Sequence, residues 1–128
     1  MTRNPVGVSR NVRLVGRTDL PGGGQVVVQD GVAYVGHMDP PDGTTLLDVS
    51  DPRRPRVLSR IQVPPDTHSH KVRVRDGVMV VNREARGKDR SGFRGGVKVF
   101  DVSDPRAPRE IAFFPVPASG VHRFDLDE

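Results

Sequence analysis

An internal repeat constrains the fold of this chain more than any other feature. The segment DVSDPRRPR, from Asp48 to Arg56, returns 53 residues later as DVSDPRAPR, from Asp101 to Arg109, with one position changed. A shorter match lies upstream of each copy, where DGVAYV at 30–35 corresponds to DGVMVV at 76–81. A repeat of this length predicts a chain built from similar small units that stack on one another.

The residues that lead into each Asp-Gly pair alternate between apolar and polar side chains. Three stretches share this spacing, namely Gly24–Asp30, His70–Asp76 and His122–Glu128. A period of two predicts a β-strand with one buried face. Asp-Gly after the first two stretches predicts type I′ hairpin turns, which require positive φ at both central residues.

Each repeat is predicted to contain four short strands. In the second repeat we expect them at about 69–75, 78–83, 97–101 and 109–114, with the charged, glycine-rich stretch 84–96 as a loop insertion. The Asp-Pro-Arg-x-Pro segments are expected to form turns, in which the side chains of Ser50, Asp51, Ser103 and Asp104 bond nearby backbone N–H groups. The 14 Gly and 12 Pro residues disfavour long helices.

Four antiparallel strands per repeat are typical of a β-propeller blade. We therefore predict an all-β fold of β-propeller type, with two four-stranded blades and the first strand of a third. The single domain, 1–128, divides into an N-terminal segment (1–23), a first repeat (24–66), a second repeat (67–118) and the start of a third (119–128). Closed propellers have about four to eight blades, so the ring is incomplete, and we expect the chain to self-associate or to be completed by further blades.

The repeated segments resemble a known family. LLDVSDPRRPRVL and VFDVSDPRAPREI, each preceded by a DGVAYV or DGVMVV strand, are similar to the LVIVD-type repeat of bacterial and archaeal β-propeller proteins. The resemblance covers about residues 24–128 and implies the propeller fold, without implying any catalytic residue. Members of that family are several times longer than this chain.

Composition excludes several classes of function. The chain has no Cys, so thiolate metal sites, disulfides and cysteine nucleophiles are excluded. Its net charge is +4, but acidic and basic residues are interleaved and no nucleic-acid-binding motif is present. No run of 18 apolar residues predicts a membrane span, and no apolar run follows the arginines of residues 1–17, so we expect a cytoplasmic protein.

Three histidines form the one constellation that suggests a metal site. His68 and His70 make a His-x-His pair, and His122 takes the place of His70 one repeat later. Inner strands of a propeller approach its axis, so these imidazoles could gather around Zn²⁺, Fe²⁺ or Mn²⁺, with Asp66 as the nearest carboxylate in sequence. The alternative is that His70 and His122 are packed at the ends of buried strand faces. His37 stands alone and receives no role.

Other motifs suggest less. The repeated Asp-Val-Ser-Asp could be a calcium loop or hold a serine nucleophile, but Pro52 and Pro105 interrupt the ligand spacing and no base accompanies Ser50 or Ser103. The basic stretch 83–94 either meets an anionic partner or is a solvated loop. Two functions remain: a non-catalytic binding or scaffold module for protein–protein interaction, which we favour over an enzyme, or a metal-dependent activity in the funnel of an assembled propeller.

Overall fold

The computed structural model describes residues 10–127, and this part of the chain is all β. Its strands are β1 (Gly23–Gln29), β2 (Val32–His37), β3 (Asp42–Asp48), β4 (Arg56–Gln62), β5 (Thr67–His68), β6 (Val72–Arg75), β7 (Val78–Ala85), β8 (Gly96–Asp101) and β9 (Arg109–Pro115). Within the described residues, no helix is long and apolar enough to cross a membrane. The prediction of an all-β fold is confirmed.

The strands form two antiparallel sheets, one for each repeat. The first sheet has the order β1-β2-β3-β4. In the second sheet β7, β8 and β9 lie in this order. The other edge of β7 pairs with β6 at its start and with β5 at its end. The strand expected at 69–75 therefore begins only at Val72, and residues 69–71 separate it from the short strand β5.

The hairpin turns of the two sheets have closely similar backbone φ angles. Asp30 and Gly31 have φ values of 51° and 76°, and Asp76 and Gly77 have values of 49° and 76°. Positive φ at both central residues is the requirement of a type I′ turn, so this prediction is confirmed. An Asp-Gly pair meets it because glycine has no Cβ and aspartate tolerates the left-handed region.

The Asp-Pro-Arg-x-Pro turns are also closed in the same way in both sheets. Asp51 and Asp104 accept hydrogen bonds from the N–H groups two residues later, as predicted. The expectation for the serines was wrong, because the Ser50 and Ser103 hydroxyls donate to the carboxylates of Asp48 and Asp101 instead. These carboxylates also accept the serine N–H groups at 2.9 Å, so the aspartate that ends the strand caps the turn.

The hydrophobic core lies between the two sheets. Its buried members are Tyr34 and Leu46 from the first sheet, and Val72, Met79, Val81, Phe100 and Val102 from the second. Full burial of an apolar side chain of this size stabilises the folded state by about 1.5 to 3 kcal/mol. Strand β6 contacts β1 and β2, so the two sheets meet at their first hairpins.

Two sequence expectations were wrong in detail. The insertion was placed at 84–96, but β7 continues to Ala85 and β8 begins at Gly96, because Glu84 and Ala85 pair with β5. The first strand of a third repeat was expected from His122, but the described residues 121–127 contain no strand, since no neighbouring strand pairs with them. Glu128, the last residue of that expected strand, lies outside the described residues.

Candidate metal centre

Four side chains with metal-binding atoms meet beside the end of β7. They are His68, His70, Glu84 and His122, and their potential ligand atoms all lie within 4.8 Å of one another. The ring centroids of His68 and His70 are 4.3 Å apart, and those of His70 and His122 are 4.9 Å apart. Three segments that are distant in sequence therefore supply three imidazoles and one carboxylate to one cluster.

Glu84 joins two of the histidines. Its Oε2 atom lies 2.6 Å from Nε2 of His68 and 2.8 Å from Nδ1 of His122. The other ring nitrogen of His68, Nδ1, lies 3.2 Å from the carbonyl oxygen of Met38. An N–H donated from Nδ1 to that carbonyl is the usual support of a metal-binding histidine, and a metal bound at Nε2 would replace the hydrogen bond to Glu84.

The break between β5 and β6 fixes the position of His70. The next two N–H groups after His70 are taken by side chains, since Lys71 donates to Oδ1 of Asn82 at 2.9 Å and Val72 donates to Oε1 of Gln25 at 3.0 Å. The carbonyl of His70 accepts the N–H of Gln25 at 3.0 Å. The backbone around His70 thus leaves the regular ladder without losing its hydrogen bonds.

Glycines of the first sheet make room for His70. A Cβ atom on Gly36 would lie 2.6 Å from the His70 carbonyl oxygen, and one on Gly24 would lie 2.9 Å from the same oxygen. Non-bonded atoms do not approach so closely, so no residue with a side chain fits at Gly36 without displacing the backbone of His70. The first sheet therefore forms part of the wall that positions this histidine.

Asn82 also holds the segment that carries His122. Its Nδ2 atom donates to the carbonyl of Val121 at 2.9 Å, and the N–H of Val121 donates to the carbonyl of Arg83 at 3.2 Å. Further along the segment, Arg73 forms an ion pair with Asp125 at 3.0 Å. Asn82 is fully buried, and its one amide group connects the backbone next to His70 with the backbone next to His122.

Burial and charge prepare the groups for different roles. His70 is only 4% exposed, and its pKa is lowered to about 4, first by burial and then by the neighbouring His68, Lys71 and His122. Its imidazole is therefore neutral at pH 7, the form that binds metals. Burial by itself would raise the pKa of Glu84, but hydrogen bonds from His122 and His68 outweigh it and the pKa is lowered.

The structure brings together all three histidines singled out from the sequence. Their role as ligands remains a prediction, and the packed-histidine alternative fits the buried His70 better than the exposed His122. Asp66 does not join the cluster, because its carboxylate accepts the Thr67 hydroxyl. His37 is buried outside the cluster. Its Nδ1 atom contacts the carbonyl oxygen of Pro21, and its Nε2 atom contacts the hydroxyl of Thr45.

Glu84 is the residue that the sequence reasoning missed. It was placed in the loop insertion because the stretch that follows it is charged and rich in glycine. In the structure it is on β7, directly opposite His68. The repeat gave no signal for it, because Glu84 corresponds to Met38, which lies beyond the end of β2 at His37.

In comparisons with known proteins, no protein family matches this chain, and no curated protein matches it significantly. The resemblance to the LVIVD-type repeat thus remains a prediction, and the function has to be argued from the geometry of the site.

Proposed function

We propose that this chain is a metal-binding protein of β-propeller type, in which His68, His70, His122 and Glu84 hold one divalent transition metal. The observation that carries the proposal is the convergence of four potential ligand atoms within 4.8 Å. In a tetrahedral site with bonds of about 2.0 to 2.2 Å, ligand atoms lie roughly 3.3 to 3.6 Å apart, so small side-chain rotations suffice to close the site.

The donor set suits three metals. Imidazole binds zinc and iron well, and a carboxylate is acceptable to zinc, iron and manganese alike. The side chain of His122 is 57% exposed, so the site is open to solvent on one side. A metal held here is accessible to water or to a small substrate, and it can act as a Lewis acid.

The propeller assignment is supported by the way in which the units stack. The second sheet contacts the first through β6, and the segment around His122 lies against Asn82 much as the segment around His70 lies against Gly36. Each unit thus begins by packing on the preceding one, which is the arrangement of neighbouring blades.

Binding of metal to the tag-free chain tests the proposal. We expect one equivalent of Zn²⁺ or Co²⁺ per chain by isothermal titration, and loss of that binding in His68→Ala. Asp66→Asn is the matched control, since Asp66 is a neighbouring carboxylate that does not point into the cluster, and it should bind as the wild type does. Less than a tenth of an equivalent in the wild type would reduce the cluster to a hydrogen-bonded set of ionisable side chains.

A second function, protein binding, is favoured by the outer face of the first sheet. Val26 and Val28 are 58% and 62% exposed, because they alternate with Val27, which packs on the core. Phe114, on the last strand of the second sheet, is 61% exposed. We propose that these apolar surfaces bind further blades from other copies of the chain.

The mass of the particle in solution tests this second proposal. Light scattering after size exclusion should show a defined oligomer, and Val26→Lys combined with Val28→Lys should shift it towards the monomer. A wild-type chain that stays monomeric at high concentration would remove the proposal.

A further inference from the structure

A cavity of about 230 Å³ lies between the two sheets, at the end where the Asp-Gly turns are. Both sheets line it, with Gln29, Asp30 and Tyr34 from the first and Val74, Val102 and Pro105 from the second. The two walls are tied together at Pro105, whose carbonyl accepts the Ser59 hydroxyl at 2.7 Å. Glu84 of the metal centre is near the far end of β7, so the cavity is separate from that cluster.

Tyr34 brings an unpartnered hydroxyl group to this cavity. The residue is only 5% exposed, and its hydroxyl has no hydrogen-bond partner among residues 10–127. The pKa of Tyr34 is raised, first by burial and then by the charge of Asp30, so the hydroxyl is neutral and lies within the field of that carboxylate. Buried phenols normally have a hydrogen-bond partner. This hydroxyl is therefore available to a bound molecule.

The one charged side chain that lines the cavity within the described residues is negative. Asp30 forms no ion pair in this part of the chain, and no lysine or arginine is among the lining residues, although the chain has 20 of them. The wall from the second sheet is mostly apolar, and the hydroxyl of its Ser103 already donates to Asp101. One carboxylate that faces apolar side chains favours a ligand with a positive charge and a hydrocarbon part.

We propose that this cavity binds a small primary amine in its protonated, ammonium form. An ammonium group has three N–H donors, and the first sheet offers an acceptor for each, namely the carboxylate of Asp30, the hydroxyl oxygen of Tyr34 and the side-chain carbonyl of Gln29. The charge-assisted hydrogen bond to the carboxylate is the strongest of the three. The volume is below the roughly 300 to 1,000 Å³ of sites for drug-sized ligands. The amine therefore has a short hydrocarbon chain, which contacts the apolar wall of the second sheet.

The second sheet does not carry the same groups at its own hairpin. Residues 46 apart correspond, so the first sheet's Gln29, Asp30 and Tyr34 are replaced by Arg75, Asp76 and Val80. Asp76 pairs with Arg75 at 3.5 Å, and valine has no hydroxyl group. The site therefore belongs to the junction of the two sheets and not to each repeat.

Binding of n-butylammonium to the full chain can be measured by nitrogen–proton correlation NMR, with a chelator present so that the amine cannot bind a metal. We expect saturable shifts of the amide resonances of Val32, Val74 and Gly77, which line the cavity from both sheets. n-Butanol has a similar shape without the charge, and tetramethylammonium has the charge without N–H donors. Both should bind at least about tenfold more weakly than n-butylammonium. Equal affinity for either of them, or no saturable shift with n-butylammonium, would overturn the proposal.

Two variants test the assigned groups. Asp30→Asn should weaken n-butylammonium binding at least about tenfold, because the charge is removed, and Tyr34→Phe should weaken it roughly three- to tenfold, because one acceptor is removed. Asparagine tolerates the positive φ of 51° at this turn, so Asp30→Asn keeps the test decisive if Tyr34→Phe does not fold. Asp76→Asn, at the equivalent turn, is the matched control and should bind as the wild type does. Unchanged affinity in Asp30→Asn or in folded Tyr34→Phe, or an equal loss in Asp76→Asn, would contradict the proposal.

Discussion

The two sheets close their turns in the same way, but they differ at the end of the first hairpin, where the candidate metal centre lies. Residues 46 apart correspond in this part of the repeat, so Gly24, Gly36 and Met38 of the first sheet match His70, Asn82 and Glu84 of the second. The first sheet offers no nitrogen or oxygen side-chain ligand at these positions. The shared residues maintain the strands and turns, and the differing residues form the candidate site.

The difference is steric as well as chemical. Gly24 and Gly36 pack against the backbone of His70, so the first sheet has small residues at the positions where the second sheet carries the candidate site. At equivalent positions of the repeat, the first sheet therefore leaves space and the second sheet carries the polar side chains of the candidate site. Exchanging residues between these positions should remove this difference between the sheets.

The largest effect is expected from giving the second sheet the first sheet's residue at position 84. Glu84→Met removes the carboxylate that joins His68 and His122. We expect metal affinity to fall by more than about a hundredfold, which exceeds the usual effect of losing a residue that only orients a ligand. Isothermal titration with Zn²⁺ measures it. Met38→Leu, at the equivalent position of the first sheet, is the control and should leave the affinity unchanged.

The exchange Asn82→Gly should have the next largest effect. It removes the buried amide that accepts a hydrogen bond from the N–H of Lys71 and donates one to the carbonyl of Val121. We expect the free energy of unfolding to fall by about 2 to 4 kcal/mol, and metal affinity to fall roughly ten- to a hundredfold, because His70 and His122 lose their orientation. Urea denaturation and metal titration measure the two quantities. A loss of stability with full metal affinity would show that Asn82 has only a structural role.

The hairpin turns should respond equally in the two sheets. Gly31→Ala and Gly77→Ala each place a Cβ at a φ of 76°, where the nearest heavy atoms are 3.5 Å and 3.9 Å away. Space is sufficient, so the cost is the left-handed backbone alone, about 1 to 2 kcal/mol for each variant. Thermal or urea unfolding measures both. Costs that differ by more than about 1 kcal/mol would contradict the equivalence of the two turns.

The smallest effect concerns the capping aspartates. Hydrogen bonds from Ser50 lower the pKa of Asp48 to about 2, and those from Ser103 lower the pKa of Asp101. A lowered pKa stabilises the folded state above the unfolded value of about 3.9, and this contribution is lost as the pH falls towards the folded value. Ser50→Ala should raise the pKa of Asp48 and leave that of Asp101 unchanged, as measured by NMR titration of the carboxyl carbons. A shift of both carboxyls would show that the turns are coupled.

Much of the fold could be predicted because the repeat presents each local signal twice. The Asp-Gly turns, the period of two and the Asp-Pro turns each follow from local stereochemistry, which a single segment of sequence contains. The broken strand at 69–71 could not be predicted in this way. It depends on Asn82 and Gln25, whose side chains take backbone hydrogen bonds across strands and across sheets.

The candidate site was predictable only in part. The repeat pointed to His70 and His122 because equivalent positions of stacked units come close in space. Glu84 required knowledge of where β7 ends, and this strand end depends on pairing with β5 rather than on composition. The absence of a strand at 121–127 has the same origin, since an alternating pattern forms a strand only beside a partner.

The most direct test of the metal centre is an anomalous difference map from crystals of the zinc-loaded full chain. We predict one peak per chain, with nitrogen or oxygen atoms of His68, His70, His122 and Glu84 at about 2.0 to 2.2 Å. A map without a peak there, in which Glu84 still bonds His68 and His122 directly, would contradict the account.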